Sequence, residues 1–240
     1  MNGFTIVFPY FNNGTMFERH LFEWRFYNNT SLFDIVIVDD CSKEDPIENH
    51  LLTINSFGFN SVKVFKILDD IPWNQNGARN LAFTHIDHSW CLSTDIDHLL
   101  TKDVADQLIN MKLSDDTLNY YRPHRKLFKG NVDYKKHPNS YIIHSDLYWK
   151  AGGMDESFCG WYGSDSTFRR RLELFGKELE VSEDVYLTLY GRDDIADAST
   201  TQYGRKDSLF HSSNNPNLRE RRKKMLDPIK PINFKWKRLC

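Results

Sequence analysis

Four short apolar runs punctuate the first hundred residues: FTIVF at 4–8, DIVIV at 34–38, VKVFKI at 62–67 and WCLST at 90–94. Each is rich in β-branched or aromatic residues and bounded by turn formers, the pattern of a buried strand. Between them the apolar period lengthens to that of a helix. Phe17, Leu21 and Trp24 recur at i, i+4 and i+7, and Ala78, Leu81, Ala82 and His85 share one stripe of NGARNLAFTHI. Strand alternating with helix predicts a parallel sheet covered on both faces. In such a sheet ligands bind outside the carboxyl ends of the strands, where Pro9, Asp39, Asp40, Asp95 and Asp97 all fall.

Beyond Asp97 the rhythm changes. Val104, Leu108 and Met111 mark a further helix, and TLNYY and NSYIIHS read as strands around a polar, basic loop, RPHRKLFKGNVDYKKHP. STFRRRLELFG predicts a helix through Phe168, Leu172 and Phe175, closed by a left-handed cap at Gly176. VYLTLY at 185–190 reads as the last strand. With no repeat and no clean linker, the second half is expected to complete the same sheet.

The chain has 240 residues, 40% hydrophobic, with formal charge −2, which suits one domain with at most a small appendage. It holds no run of 18 apolar residues, and MNGFTIVFPY lacks the basic flank of a signal peptide, so a soluble, unexported protein is expected. Cys41, Cys91, Cys159 and Cys240 are scattered, which argues against a disulfide framework or a structural zinc site and points to the cytoplasm. The charge is uneven: from Arg219 onward nine Lys or Arg face only Glu220 and Asp227. Such a run is expected to be a solvated helix face with a mobile end, or else the footprint of an anionic partner.

In VDDCS, Asp39 and Asp40 have two readings, a turn or helix cap and contacts to a nucleotide. Asp95 and Asp97 repel each other beside apolar residues, and a divalent cation resolves that repulsion. Oxygen-rich sites suit magnesium or manganese, held by one or two carboxylates together with substrate phosphates. A lysine-bearing, glycine-rich phosphate loop does not follow the first strand, which disfavours a nucleotidyltransferase.

The succession VFPYFNN, IVIVDDCS, NQNGARNLAF, STDIDHLL, NSYIIHSDLYWKAGGMDESFCGWYGSDSTFRRRL and HSSNNPNLRERR resembles the GT-A fold glycosyltransferases over roughly residues 4–222. The resemblance is strongest to the β-1,4-galactosyltransferase-like branch and related family-two-type enzymes. Its most specific part is GGMDESFCGWYGSD, similar to Gly-Gly-Phe/Met-Asp/Asn-Glu-x-Phe-x-Gly-Trp-Gly-x-Glu-Asp. The resemblance implies an α/β, GT-A domain over 1–222, with a mostly parallel central sheet flanked by helices, and a basic C-terminal tail over 223–240. It implies a metal-dependent, inverting transfer of sugar from a nucleotide sugar, a UDP-sugar, to a hydroxyl of a saccharide acceptor. Position by position, Asp97 would coordinate Mn2+ or Mg2+, Asp95 would bind the donor's ribose or the metal shell, and His211 would be a late metal ligand. Pro9 would wall the base pocket, Asp39 with Asp40 beside it would contact the donor, and Arg79 would help hold it. Asp165 would be the catalytic base, with Trp161, Tyr162 and Ser164 toward the acceptor.

The chain departs from this pattern at four places. Ser164 replaces a Glu, Tyr162 replaces the second Gly of Gly-Trp-Gly, Cys41 replaces the Gly after the Asp pair, and PYFNNG lacks an arginine. These changes leave the donor sugar and acceptor open. Two other readings stand beside the first. One is a DNA-base glycosyltransferase of the same fold, guided by RPHRKLFKGNVDYKK and the basic tail; the other is a nucleotide-sugar-binding module that has lost catalysis.

Overall fold

The computed structural model describes residues 3–191, 194–195, 211–228 and 232–240. The four apolar runs form β1 (Phe4–Tyr10), β2 (Phe33–Asp39), β3 (Ser61–Ile67) and β4 (Trp90–Ser93). β1 pairs in parallel with β2 and β4, and β2 with β3. Side chains alternate across the sheet. Phe4, Ile6, Phe8 and Tyr10 of β1 and Phe33, Ile35 and Ile37 of β2 enter one core, with Phe17, Leu21 and Trp24 of helix α1 (Gly14–Trp24). Val7, Val36 and Val38 enter the other. There they meet Ala78, Leu81 and Ala82 of α3 (Gln75–Phe83), which follows the short α2 (Leu51–Ile54). Double burial is why these strands read as continuous apolar runs.

The second half supplies β5 (His98–Leu99), α4 (Lys102–Asn110), β6 (Asn119–Tyr121), β7 (His124–Leu127), β8 (Asp133–Tyr134), β9 (Tyr141–His144) and α5 (Ser145–Lys150). After these come α6 (Asp165–Phe175), β10 (Lys177–Leu179), β11 (Tyr186–Leu189), α7 (Pro216–Lys224) and β12 (Trp236–Arg238). The main sheet has eight strands in the order β10-β6-β9-β4-β1-β2-β3-β12, and a second sheet has the order β5-β11-β7-β8.

Four sequence expectations change here. The second half completes the main sheet only through β6, β9 and β10, because β11 pairs with β5 and β7 instead. The basic loop contains β7 and β8, an antiparallel hairpin in register at Arg125 with Tyr134. Gly176 is extended (φ −145°), not left-handed. A Cβ there would lie 2.2 Å from the Leu118 carbonyl oxygen, so the glycine permits close approach of β6's lead-in rather than a cap. Finally, β11 is not the last strand: β12 runs antiparallel along β3 (Lys237 opposite Lys66). The basic run is thus a helix followed by an edge strand.

Candidate active site

The parallel strands deliver Pro9, Asp39, Asp40, Asp95 and Asp97 to one sheet edge. Pro9 lies past the last β4 pair, Val7 with Ser93, so its missing N–H removes nothing from that ladder. Asp39 is fully buried; its Oδ1 accepts the Ser42 N–H at 2.6 Å and its Oδ2 the Ile47 N–H at 3.0 Å. Both oxygens are therefore spent on shaping the turn, and burial raises its pKa. Asp40 behaves otherwise. Its Oδ2 accepts the Asn74 N–H at 2.8 Å, whereas Oδ1 is buried without a partner. Burial pushes the Asp40 carboxyl up to about 7. Cys41, where the family pattern has glycine, adopts φ +60°, the region glycine favours.

Asp95 and Asp97 leave the end of β4 on a turn pinned by His20 of α1, whose Nε2 donates to the Ile96 carbonyl at 2.8 Å. Burial pushes His20 down to about 4 and keeps it neutral. The positive charge that the two carboxylates demand is partly supplied by the protein. Arg79, 1% exposed, donates from Nη2 to Asp95 Oδ1, and His137 Nε2 lies 3.4 Å from Oδ2. Burial works against the charge on Asp95. The Arg79 guanidinium overcomes it and holds the carboxyl well below the usual carboxylate range.

Asp97 Oδ1 is 2.6 Å from His98 Nδ1, and Arg125 Nη1 is 3.0 Å from His98 Nε2. A guanidinium only donates, so His98 Nε2 accepts and its Nδ1–H points at Asp97. The His98 and His137 rings are 4.1 Å apart, and burial pushes His137 down to about 3.

Helix α3 joins this cluster to the GGMDESFCGWYGSD segment. One turn before Arg79, Asn76 donates to the Asp155 carbonyl at 2.9 Å and accepts from Ser164 Oγ at 3.3 Å. Asn80 donates to the Met154 carbonyl and the Glu156 carboxylate, both at 2.8 Å, and accepts from the Met154 N–H at 2.9 Å. Ser164 thus ties the loop to α3 where the family pattern places a Glu. Asp165 follows it as the first residue of α6, and its charge acts on the Arg222 guanidinium and the Tyr141 hydroxyl. Tyr162 stacks on Trp73 at 5.9 Å, and Trp161 is half-buried beside it.

His211 bridges to the backbone of Tyr162, its ring 5.6 Å from the Tyr162 ring, and its Nδ1 accepts the Ser213 N–H at 3.2 Å. Arg222 Nη2 donates to the Gly163 carbonyl at 2.6 Å. The structure therefore groups His211 with the expected acceptor loop. Among the described residues no three or more His, Cys, Asp or Glu side chains are arranged to hold a metal ion. The donor chemistry of Asp95 and Asp97 nonetheless suits Mn2+ or Mg2+. Only one Asp97 oxygen is taken by His98, and such ions draw their remaining ligands from phosphates and water.

His98, His137, Arg125, Asn76 and Asn74 were not singled out in the sequence. His98 carried a signal, because it directly follows the two aspartates; Asn76 lay in NQNGARN, but its partners are distant in the chain.

The sequence profile of Glycosyl transferase family 2 matches residues 5–175, and the chain belongs to that family. It shares the GT-A fold with several solved structures. S. aureus TarS aligns with TM-score 0.62 and 15% identity, over 82% of this chain and 38% of TarS. TarS 1-349 in complex with UDP-GlcNAc aligns with TM-score 0.62 and 17% identity, over 79% and 59%. GalNAc-T7 with UDP, GalNAc and Mn2+ aligns with TM-score 0.62 and 14% identity, over 80% and 44%. The chain thus spans less than two thirds of the length of these structures. No curated protein matches it in sequence. Among the described residues no helix is long and apolar enough to cross a membrane.

Proposed function

We propose that this protein transfers a sugar from a nucleotide-sugar donor, a UDP-sugar, to a hydroxyl of a saccharide acceptor with inversion at the anomeric carbon. One observation carries the reading. Successive turns of α3 hold Asp95 through Arg79 and Ser164 through Asn76, so the turn after β4 and the loop that leads into the base candidate Asp165 attach to the same helix. UDP-GlcNAc in TarS and UDP with GalNAc in GalNAc-T7 support the donor class.

Asp40 Oδ1 and Asn74 Nδ2, a buried acceptor and a buried donor with no partners, would read the donor's base or ribose. Asn74 also lines a cavity of about 200 Å³ with Ile71, Glu156, Cys159 and Phe234. Asp39 would act behind them by fixing the turn, and Pro9 would wall the base pocket. Asp95, Asp97 and His211 would hold Mn2+ or Mg2+, which when bound would neutralise charge on the leaving diphosphate. Asp165 would take the proton of the acceptor hydroxyl as its oxygen bonds to the anomeric carbon and the nucleoside diphosphate departs on the opposite side. Trp161 and Tyr162 would offer apolar faces to the acceptor, and Ser164 would position the loop. The domain carrying this chemistry is proposed to span 1–222, supported from outside by residues 223–240.

The experiment is to offer UDP-glucose, UDP-galactose, UDP-GlcNAc and GDP-mannose with an oligosaccharide panel. Nucleoside diphosphate release is followed and the product anomer assigned by NMR. Acceptor-dependent UDP release with an inverted product is expected. Absence of acceptor-dependent release from every donor, or a retained anomer, overturns the reading.

A further inference from the structure

The β7–β8 hairpin projects from the small sheet, with residues 128–135 all exposed. Its turn is closed by the Leu127 N–H on the Val132 carbonyl at 2.8 Å, with Gly130 (φ +83°) and Asn131 (φ +49°) at the bend. Polar turn residues would be expected at such a tip. Instead Phe128 and Val132 flank it, 53% and 55% exposed. Phe128 is held in this outward pose. Its N–H donates to the Leu189 carbonyl at 2.9 Å, and its ring stacks on Tyr190 at 4.3 Å and 20°.

A basic collar surrounds the tip. Lys129 and Lys135 are exposed, and Lys126 Nζ lies 4.2 Å over the Tyr186 ring. Lys136 is engaged by Glu178 and Glu180, and Asp133 is the one acidic residue between Lys126 and Lys136. On the same flank the charge of Arg19 of α1 acts on the Tyr190 hydroxyl. Three and seven residues beyond Arg19 come Phe22 and Phe26, 51% and 50% exposed, their rings 5.2 Å apart.

We propose that this hairpin seats the protein on an anionic lipid surface. Phe128 and Val132 enter the headgroup boundary, and Lys126, Lys129 and Lys135 meet lipid phosphates. Apolar side chains at the apex with lysines set back from it match the depth order of a bilayer interface. A nucleic acid suits the tip less well. Base stacking needs free aromatic faces, yet one face of Phe128 is covered by Tyr190, Tyr134 lies under Arg125 at 4.7 Å, and Val132 has no ring. Because β7 also carries Arg125 to His98, docking would bring the flank of the carboxylate cluster to the bilayer. The inference concerns binding alone and stands apart from the transfer reaction.

The test is flotation of the whole protein with phosphatidylcholine vesicles and with phosphatidylcholine–phosphatidylglycerol vesicles. The wild type, a Phe128→Ser/Val132→Ser variant and a Lys129→Glu/Lys135→Glu variant are compared. All four positions are exposed, so unchanged thermal midpoints are expected. Binding to the anionic vesicles should fall by about tenfold or more in each variant, and salt should weaken the wild type more than the charge-reversed variant. Failure of the wild type to float, or undiminished flotation of both variants, overturns the proposal. So does a DNA oligonucleotide bound in place of vesicles, or a dimer in solution that only the Phe128→Ser/Val132→Ser variant loses.

Discussion

Arg79 of α3 donates from a guanidinium that is 1% exposed to Oδ1 of Asp95, in the turn that follows β4. Arg79→Met would leave the Asp95 charge without a cationic partner, because burial keeps the neighbouring His137 neutral. Removing one member of such a pair is expected to cost roughly 3–5 kcal/mol. Urea unfolding should show a lower midpoint with an unchanged slope. Arg79→Met combined with Asp95→Asn should lose less than the sum of the two, since the second change removes the stranded charge.

Asp165→Asn keeps the start of α6 but removes the proposed proton acceptor. Transfer is expected to drop by on the order of 10² to 10⁴ while UDP affinity stays nearly constant. Single-turnover kinetics beside nucleotide titration separate the two. Near-normal turnover would exclude Asp165 as the base.

Chelation with EDTA is expected to stop transfer, and Mn2+ or Mg2+ to restore it. Asp97→Asn should weaken Mn2+ binding in the presence of UDP by at least about tenfold in calorimetry. Full activity in chelator would remove the metal from the reaction.

Asp40 carries a pH signature. Its folded pKa is raised to about 7 from the ordinary 3.8, so between these values the folded chain keeps a proton that the unfolded chain has released. Stability from this group is therefore intact below about pH 4, declines as pH rises toward 7 and stays reduced above it. Asp40→Asn keeps an acceptor for the Asn74 N–H and cannot ionise. Its stability advantage over the wild type should grow from pH 5 to pH 8, by about 1.4 kcal/mol at most for each pKa unit crossed. Parallel unfolding curves at the two pH values would refute the shift.

Deleting residues 232–240 removes β12 and uncovers the outer edge of β3. It also removes Phe234, which packs against Gly77, and Trp236, whose ring is edge-on to Phe65 at 5.6 Å. A loss of about 2 kcal/mol or more is expected. A cut at 227 should do more harm, because Asp227 pairs with Arg171 at 3.1 Å. Tail truncation therefore tests stability, read from thermal unfolding, and is not a clean probe of charge.

The strands β1, β2 and β4 were legible because burial on both faces leaves a nearly unbroken apolar run, and β3 because its β-branched and aromatic residues persist around Lys63 and Lys66. The address of Asp95 and Asp97 followed from strand order. β5, β7 and β8 were not legible: two to four residues long, they exist because β11 offers pairing to β5 and β7, and β7 in turn to β8. WKR of β12 is exposed throughout and carries no apolar signature. The carboxylates were read as awaiting an external cation. The sequence could not disclose that Arg79, His137 and the His98–Arg125 pair converge on them, since those contacts arise only when α3 and the small sheet are in place.

The antiparallel seam between β3 and β12 also sets a constraint in time. Lys235 reaches Asp69 across 166 residues of chain. During synthesis, β3 must therefore wait with one row of amides and carbonyls unmatched until the 166 residues that separate the two have emerged. An open strand edge of this kind templates misassembly, and contacts so distant in sequence form slowly. Lys63 and Lys66, set among buried Val64, Phe65 and Ile67, give the strand charges that discourage another chain from taking the place of β12 until Asp87 and Glu48 pair with them.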